Sequence, residues 1–392
     1  MTIAMIGQKG LPARSGGVER HVSLLASGLV SRGHRVVVYG RRWYVGNMQA
    51  SAGIEQRFTS GIHTKHLDAI THTFTALFDA RKLHPEIVHL HGVGTALLAP
   101  LARLIHPRAK IVVTFHCADS GHAKWNWFAK RMLRLGEWLA CRLPHRTIVV
   151  SQTLLKDCLS RYQCQGAYIS HPFAMPDEMP DTASLAEHGL EKDQYLLFVG
   201  RLVANKQAHL LIEAYAEARK QCPELFARLP LVIVGGGVWT DAYVKWLSQL
   251  GAAVPGVMFL GERFGKELAA LQAHAMAHVF PTSTEGLSYS MIEAAAFKRP
   301  SVITELPQNR EAIGCGSVEV RVNDAKDLAR GLIEIASLPA NVRTKMGEQS
   351  RAHVEKAFHF IDRIDDVDRL YHELVVGDER LTSQLKLAQK NV

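Results

Sequence analysis

The chain has 392 residues, 46 Lys and Arg, 37 Asp and Glu, and a formal net charge of +9. This length exceeds what one hydrophobic core usually serves, so we expect two domains of ordinary globular composition. No apolar stretch is long enough to cross a bilayer, and no signal-peptide pattern is present. The six cysteines have neither disulfide-framework nor metal-ligand spacing. Together these observations indicate a cytoplasmic location.

The positive charge is concentrated in the first half of the chain. Residues 1–180 carry 22 Lys and Arg against 10 Asp and Glu, whereas the remainder carries 24 against 27. A basic surface favours an anionic partner, either a diphosphate-bearing acceptor or an anionic membrane surface, in which case the protein is peripheral on the inner face of the membrane. No nucleic-acid-binding motif is present, so nucleic acid is the least favoured partner.

Strand-like runs alternate with helical patterns along the first half of the chain. Residues 17–32 have the apolar spacing of an amphipathic helix. The strand-like runs cover residues 2–7, 35–39, 87–91, 110–115, 146–150 and 167–170. This alternation predicts an α/β domain with a parallel, doubly wound sheet over residues 1–172.

A glycine-rich segment joins the first strand to this helix and ends in Gly16 and Gly17. Glycines let the backbone approach a ligand closely, and a helix N-terminus favours an anion. A dinucleotide-binding domain is one alternative, but G-x-G-x-x-G is absent, and the strand 35–39 is followed by Arg41 and Arg42 rather than by an acidic residue. Those arginines could still receive a 2′-phosphate, so NADP stays open as a ligand.

His116 directly follows the strand 110–115, at the edge where open α/β sheets bind ligands. His89 and His91 end the preceding strand and could line the same cleft, with a structural role for one of them as the alternative. No group of His, Asp and Glu has zinc-site spacing, so we expect no metal.

The segment 123–142 mixes aromatic and basic residues. Lys130, Arg131 and Arg134 lie among three tryptophans, which suits a helix at an anionic interface. The alternative is a surface helix whose aromatic side chains belong to the core. Four apolar residues have the spacing of such a buried face: Phe128, Leu135, Trp138 and Leu139. Their spacing slightly favours this alternative.

Residues 171–194 contain three prolines and many polar residues, and we expect a linker over residues 173–194. Beyond it, helical patterns alternate with strand-like runs again, which predicts a second doubly wound domain over residues 195–358. Its strand-like runs are residues 195–200, 231–234, 257–260, 278–280 and 301–304. A helical pattern covers residues 359–376, and residues 377–392 form a polar tail.

Two cations, Arg201 and Lys206, follow the first strand of the second domain. An arginine fork and a lysine point charge placed where a strand opens into a loop could grip a diphosphate. The alternative is a solvated surface pair. Gly235 ends the next strand and permits close approach of the backbone.

Between Pro281 and Pro300 the sequence PTSTEGLSYSMIEAAAFKRP joins a buried strand to a helix, and it places Glu285 and Glu293 eight positions apart. N–H groups at a helix start favour a phosphate, and carboxylates can accept hydrogen bonds from sugar hydroxyls. A nucleotide sugar would use both features. The alternative is a capping box from Ser290 to Glu293, in which Glu293 only satisfies a backbone donor.

These segments together resemble the retaining glycosyltransferase family 4, also called glycosyl transferases group 1. The E-x7-E pattern in EGLSYSMIE carries the resemblance, and GLPARSGGVERHV, VTFHCAD, FVGRLVANK, LVIVGGG and FLGE follow the family's order. The resemblance implies a GT-B fold, in which two Rossmann-like domains face each other across a cleft. It also implies that the helix 359–376 crosses back to pack on the first domain.

The implied activity is transfer of a sugar from a nucleoside-diphosphate sugar (a UDP- or GDP-sugar) to a glycan or lipid-diphosphate-linked saccharide, in bacterial-type surface polysaccharide assembly. By the resemblance the catalytic residues are His116, Arg201, Lys206 and Glu285. The implied donor-binding residues are Gly16, Gly17, Gly235, Gly286, Leu287, Ser288 and Glu293. Ser288 and Ser290 stand where the family has glycine and proline, which puts the donor-sugar contacts in question.

The difficult step of such a transfer is loss of the nucleoside diphosphate from the anomeric carbon. Arg201 and Lys206 would stabilise the charge that grows on the leaving phosphate, so neither a metal nor another cofactor is required. The resemblance implies retention, and we favour same-face attack with Glu285 as a ligand of a sugar hydroxyl. The alternatives are a nucleotide-sugar epimerase of related fold and a catalytically silent nucleotide-sugar-binding subunit.

Overall fold

The computed structural model describes residues 1–13, 16–64, 67–118, 127–237 and 240–377. The chain forms two compact units. The first comprises Met1–Ala174 together with the segment that begins at Phe358, and the second comprises Met175–Ala357. Most of the predicted polar tail, residues 378–392, lies outside the described residues. Among the helices that are described, none has the length and apolar character needed to cross a membrane.

The first unit contains a seven-stranded parallel sheet. Its strands are β1 (Thr2–Ile6), β2 (Arg35–Gly40), β3 (Ile54–Phe58), β4 (Ile87–His91), β5 (Lys110–Phe115), β6 (Arg146–Val149) and β7 (Ala167–Tyr168), in the order β3-β2-β1-β4-β5-β6-β7. The helices of this part of the chain are α1 (Gly17–Ser31), α2 (Arg42–Val45), α3 (Asp68–Ala80), α4 (Val93–Ala96), α5 (Ala99–Ile105), α6 (Trp127–Arg142) and α7 (Gln152–Tyr162).

Both faces of this sheet are covered. Alternate residues of β1 point to opposite faces, so Ile3 and Met5 join one apolar core while Ala4 and Ile6 join the other. The near-continuous apolar runs of the inner strands therefore reflect a parallel sheet that is buried on both sides.

The second unit contains a six-stranded parallel sheet. Its strands are β8 (Leu196–Val199), β9 (Leu231–Val234), β10 (Val257–Gly261), β11 (Ala277–Phe280), β12 (Ser301–Thr304) and β13 (Ser317–Val320), in the order β10-β9-β8-β11-β12-β13. Its helices are α8 (Ala183–Ala186), α9 (Ala208–Gln221), α10 (Pro223–Phe226), α11 (Asp241–Ala252), α12 (Gly265–His274), α13 (Tyr289–Ala296), α14 (Pro307–Ile313), α15 (Ala325–Ser337) and α16 (Ala340–Ala357).

The last described helix, α17 (Phe360–Val376), belongs to the first unit and packs on α1. Its residues Ile364 and Leu370 share an apolar core with Leu25 of α1. Gly28 permits the close approach of the two helices, because a Cβ there would lie 2.5 Å from Cγ1 of Ile364.

The strand order reverses once in each sheet, between β1 and β4 and between β8 and β11. Neighbouring strands at such a point send their connections to opposite faces, which leaves a crevice at their carboxyl ends where ligands bind. The loops that follow β8 and β11 meet at this position in the second unit, and those that follow β1 and β4 meet there in the first.

The predicted α/β fold class, with two doubly wound parallel sheets, is confirmed, and every predicted strand is present to within two residues at either end. Sequence reasoning missed two strands. β3 is an edge strand in which only Ile54 is buried, and β13 is an edge strand with alternating burial. Edge strands lack the apolar runs that mark the inner strands.

Part of the segment expected to be a linker packs on the second unit instead. Residues 175–194 lie within that unit and contain the short helix α8. Leu185 and Leu190 are buried in one core with Tyr195 and Leu197. Pro176 and Pro180 indicated an irregular backbone here, but the apolar residues that follow them, Leu185 and Leu190, pack the segment onto the core of the second unit.

Candidate functional site

The crevice at the strand-order reversal of the second unit contains a partly buried ion pair. Lys206 ends a short 3-10 helix (Ala204–Lys206) after β8, and Glu285 lies on the loop after β11. The Lys206 ammonium contacts a carboxylate oxygen of Glu285, and the two side chains are only 16% and 15% exposed. Arg201, which follows β8 more closely, is exposed at the same edge of the sheet. The loops at this edge of the sheet thus carry three of the four predicted catalytic residues.

Backbone contacts fix the two loops that carry this ion pair. The main-chain nitrogen of Ser283 donates to the carbonyl oxygen of Asn205 over 2.9 Å. The Thr282 hydroxyl donates to the same oxygen over 3.1 Å and to that of Thr284 over 2.9 Å. Asn205 immediately precedes Lys206. These hydrogen bonds therefore fix the position of the Lys206 backbone relative to the Glu285 loop, in addition to the attraction between the two charges.

The helix α13 begins at Tyr289 with Ser288 as its N-cap, and the side chain of Ser288 forms no capping hydrogen bond. Ser290 therefore lies inside the helix, and the capping-box alternative is wrong. Glu293 instead accepts a hydrogen bond of 2.9 Å from the side-chain amide of Gln272. Gly286, Leu287 and Ser288 are buried where the loop enters the helix.

Gly235 has a structural role that the sequence did not reveal. Its φ is +147°, and a Cβ at this position would lie 1.9 Å from the carbonyl oxygen of Gly200. The glycine therefore lets the loops after β8 and β9 touch, which explains the residue without a ligand.

The glycine-rich loop of the first unit leads into α1. Gly16 is the N-cap of the helix with φ +104°, and Gly17 is its first residue. A Cβ on Gly16 would lie 2.1 Å from the carboxylate of Glu19, which also accepts a hydrogen bond of 3.1 Å from the main-chain nitrogen of Lys9. Residues 14 and 15 lie outside the described residues.

One of the two arginines that kept NADP open as a ligand is engaged by the fold. Arg41 is buried, forms an ion pair of 2.8 Å with Asp68, and donates to the carbonyl oxygen of Gln8 over 2.9 Å. The other, Arg42, is exposed and lies 5.1 Å from the centroid of the Phe58 ring. Support for a 2′-phosphate site is therefore reduced to Arg42.

His116, the fourth predicted catalytic residue, lies in a group of buried histidines in the first unit. Its Nε2 is 3.4 Å from Nδ1 of His91. Its ring centroid is 4.9 Å from that of His21 on α1 and 5.9 Å from that of His171. Burial, and secondarily repulsion from neighbouring histidines, lowers the pKa of His116, His21 and His91 well below the ordinary value, so these imidazoles are neutral.

His89 is the structural member of the pair that ends β4. Its two ring nitrogens lie 2.6 Å from the hydroxyls of Tyr371 and Thr114. Both nitrogens are therefore engaged, and burial lowers the pKa of His89 to about 3.

Two family descriptions match consecutive parts of the chain. Residues 15–170 match the family described as Glycosyltransferase Family 4, and residues 181–353 match the family described as Glycosyl transferases group 1. The chain belongs to glycosyltransferase family 4. The fold expected from the resemblance, GT-B, is likewise confirmed.

Curated proteins similar to this glycosyltransferase include two bacterial enzymes. It is 29% identical to the putative glycosyltransferase EpsD of Bacillus subtilis over 278 residues, which cover 68% of this chain and 71% of EpsD. It is 28% identical over 327 residues to a GDP-mannose-dependent alpha-(1-6)-phosphatidylinositol monomannoside mannosyltransferase of Mycolicibacterium smegmatis, with 74% of this chain and 77% of that protein covered. Among solved structures, Anabaena HepE in complex with UDP-glucose has the same fold at 17% identity, with a TM-score of 0.76 over 94% of this chain and 99% of HepE.

The helix α6 of the glycosyltransferase exposes side chains that its spacing assigned to the core. Leu135 and Trp138 are 44% and 45% exposed, and Trp127 is 74% exposed. Arg131 lies 5.8 Å over the Trp127 ring. Of the predicted buried face, Leu139 is buried, while the side chain of Phe128 lies outside the described residues. The preference for a buried aromatic face is therefore wrong for Leu135 and Trp138.

Proposed function

We propose that this glycosyltransferase binds a nucleoside-diphosphate sugar on its second unit and transfers the sugar, with retention, to a glycan or lipid-linked saccharide. The observation that carries the proposal is the Lys206–Glu285 ion pair at the strand-order reversal. The similarity to a GDP-mannose-dependent enzyme and to a structure that holds UDP-glucose supports this donor class. A role in surface polysaccharide assembly follows as part of the same proposal.

The donor diphosphate would lie against Arg201, Lys206 and the start of α13. An exposed guanidinium and an ammonium supply fixed positive charge, and the first N–H groups of a helix favour an anion. Lys206 has three donor positions, so it can keep its contact with Glu285 while it also donates to a phosphate oxygen.

Glu285 would then accept hydrogen bonds from hydroxyls of the donor sugar. Its pairing with Lys206 orients the carboxylate at the site, which suits a hydroxyl ligand better than a free nucleophile. His116 is a neutral imidazole and would bind a sugar hydroxyl rather than a phosphate. Glu293, held by Gln272, would bind the ribose.

In the reaction that we propose, the bond between the anomeric carbon and the diphosphate oxygen breaks first. The diphosphate takes the electron pair, and Arg201 and Lys206 stabilise the added negative charge, an effect that can be large in a preorganised site. The acceptor hydroxyl attacks on the face that the diphosphate leaves and gives its proton to a leaving phosphate oxygen. No metal or other cofactor takes part in this scheme.

We also propose that the protein is cytoplasmic and lies on an anionic membrane surface through α6. Trp127, Leu135 and Trp138 are exposed, and Arg131 and Arg134 are exposed between them. A helix with this face suits the interface of an anionic bilayer.

The decisive experiment is a transfer assay with UDP-, GDP-, ADP- and dTDP-sugars, read with and without a lipid-linked saccharide fraction. Acceptor-dependent release of nucleoside diphosphate is expected with one donor. Conversion of the donor without an acceptor would indicate the epimerase, and donor binding without turnover would indicate the silent subunit.

A further inference from the structure

We propose that His21, His91 and His116 form a site for a transition-metal ion such as Zn²⁺, and that the bound ion inhibits sugar transfer. The binding claim stands independently, whereas the claim of inhibition rests on the proposed function. The potential ligand nitrogens of the three residues all lie within 4.8 Å of one another.

The three ligands come from separate elements that converge at the strand-order reversal of the first sheet. His91 ends β4, His116 follows β5, and His21 lies on α1. The distance of 3.4 Å between His91 Nδ1 and His116 Nε2 already matches two ligands of one ion, since Zn–N bonds of about 2.0–2.1 Å place tetrahedral ligands roughly 3.4 Å apart. A small movement of His21 would complete the set.

One of these histidines has a nitrogen that could bind the ion and that the fold leaves unsatisfied. Nε2 of His21 is buried and has no hydrogen-bond partner among the described residues. His21 is only 2% exposed. A buried polar atom without a partner costs its full desolvation free energy, so such atoms usually mark a ligand or an ordered group.

The other ring nitrogen of His21, Nδ1, already has a partner that orients the ring. His21 Nδ1 lies 3.0 Å from Nδ1 of His171, which leaves Nε2 for an ion. Metal-binding histidines usually have such a second contact, because it fixes the tautomer and the ring orientation. His89 is engaged by two hydroxyls and stays outside the ligand set.

The chemistry of the site selects the class of ion. Three imidazole nitrogens without a carboxylate suit Zn²⁺, Co²⁺, Ni²⁺ or Cu²⁺ rather than Mg²⁺ or Ca²⁺, which prefer oxygen. Three protein ligands leave one coordination position for water.

A bound ion would remove His116 from its proposed contact with a sugar hydroxyl. The same nitrogen cannot bind a metal and a hydroxyl at once. Zn²⁺ is therefore expected to inhibit transfer, and a chelator is expected to restore it.

The test must separate this site from a second group of potential ligands in the first unit, namely His34, Asp368 and His372. His372 is 55% exposed, so His372→Gln removes that group with little effect on the fold. The full-length His372→Gln protein, stripped of metal, is titrated with Co²⁺. We expect the visible absorption of one tetrahedral Co²⁺ per chain, displaced by Zn²⁺. The additional change His21→Gln is expected to weaken binding at least tenfold, with circular dichroism as the check on folding.

Two results would overturn the proposed site. One is the absence of Co²⁺ and Zn²⁺ binding by the His372→Gln protein, and the other is a thiolate charge-transfer band, which would place the ion on cysteines. X-ray absorption of the Zn²⁺-loaded His372→Gln protein supplies a readout that needs no change in the cluster. Three imidazole ligands at about 2.0–2.1 Å are expected, and fewer than three would contradict the site.

The proposed inhibition of sugar transfer is tested separately from metal binding. Metal binding that leaves transfer unchanged would overturn it, whereas failure to detect transfer with any donor in metal-free protein would contradict the proposed function and not the metal site.

Discussion

The ammonium of Lys206 contacts the carboxylate of Glu285 across 79 positions of sequence. Each residue lies on a loop that leaves the carboxyl end of a parallel strand, and the two strands, β8 and β11, are neighbours at the point where the strand order reverses. Both charged groups are mostly shielded from water, and we place the donor site at this ion pair.

Lys206→Ala is expected to lower kcat by about 100-fold or more, because it removes a charge aimed at the leaving diphosphate. Arg201→Ala is expected to act in the same direction. The matched control is Arg310→Ala, which removes a surface partner of Glu319 in the same unit. Steady-state kinetics with the preferred donor measures the effect, and near-normal turnover of both Arg201→Ala and Lys206→Ala would place the phosphate site elsewhere.

Glu293→Gln is expected to weaken nucleoside-diphosphate binding about tenfold, equivalent to about 1.4 kcal/mol, because a carboxylate that would bind the ribose is lost. Its effect on stability is expected to be small, since Ser288 is the N-cap of α13 and Glu293 lies five positions beyond it, outside the capping-box position. Calorimetric titration with the nucleoside diphosphate measures the change, with Glu334→Gln on the surface of α15 as the control. Equal affinity of the wild type and the Glu293→Gln protein would remove Glu293 from the donor site.

The pH dependence of stability is expected to include a contribution from His278. This residue is fully buried, its Nε2 lies 2.9 Å from the carbonyl oxygen of Gln272, and burial lowers its pKa to about 4. Because the folded pKa is below the ordinary value of about 6.5, the unfolded state binds the proton first as the pH falls. The contribution is complete above pH 6.5 and is lost progressively down to about pH 4, with a total of about 3 kcal/mol.

Urea unfolding at pH 7.5, 6.0 and 5.0 tests this prediction. His278→Gln cannot be protonated, so its free energy of unfolding should fall less steeply with decreasing pH than that of the wild type. Parallel pH profiles for the two proteins would show that His278 makes no such contribution.

Binding to anionic vesicles is expected at low salt and should weaken as salt is added. The combined change Arg131→Glu and Arg134→Glu is expected to abolish it, because each basic residue near an anionic surface contributes about 1 kcal/mol. Arg81→Glu with Lys82→Glu is the matched control, since both residues are exposed in the same unit outside α6. Flotation that is absent for the wild type, or equal for both double variants, would contradict docking through α6.

The sequence allowed prediction of the parts of the fold that depend on local pattern. Inner strands such as β1 and β8 are apolar on both faces and were recognisable, whereas the mixed edge strand β3 was not. Spacing on α6 indicated an apolar stripe along the helix. The face of α6 that is buried is instead the one that carries Gly136, where a Cβ would lie 2.7 Å from the carbonyl oxygen of Val93. Because this face packs closely on α4, the side chain of Trp138 is left exposed to solvent.

The contacts within the candidate site could not be predicted, because they join distant positions. Lys206 and Glu285 were each identified by resemblance, but their contact depends on the adjacency of β8 and β11. Likewise, His21 lies on a helix in an apolar pattern, and only the tertiary structure places it beside His91 and His116.

Calorimetric titration of the wild type and of the Lys206→Ala protein with UDP-, GDP-, ADP- and dTDP-sugars is the sharpest test of a donor site at Lys206. We expect the wild type to bind one of these donors and Lys206→Ala to bind it more weakly while it remains folded. A wild-type protein that binds none of the four classes, or a Lys206→Ala protein that binds the donor as tightly as the wild type, would show that the donor site is not there.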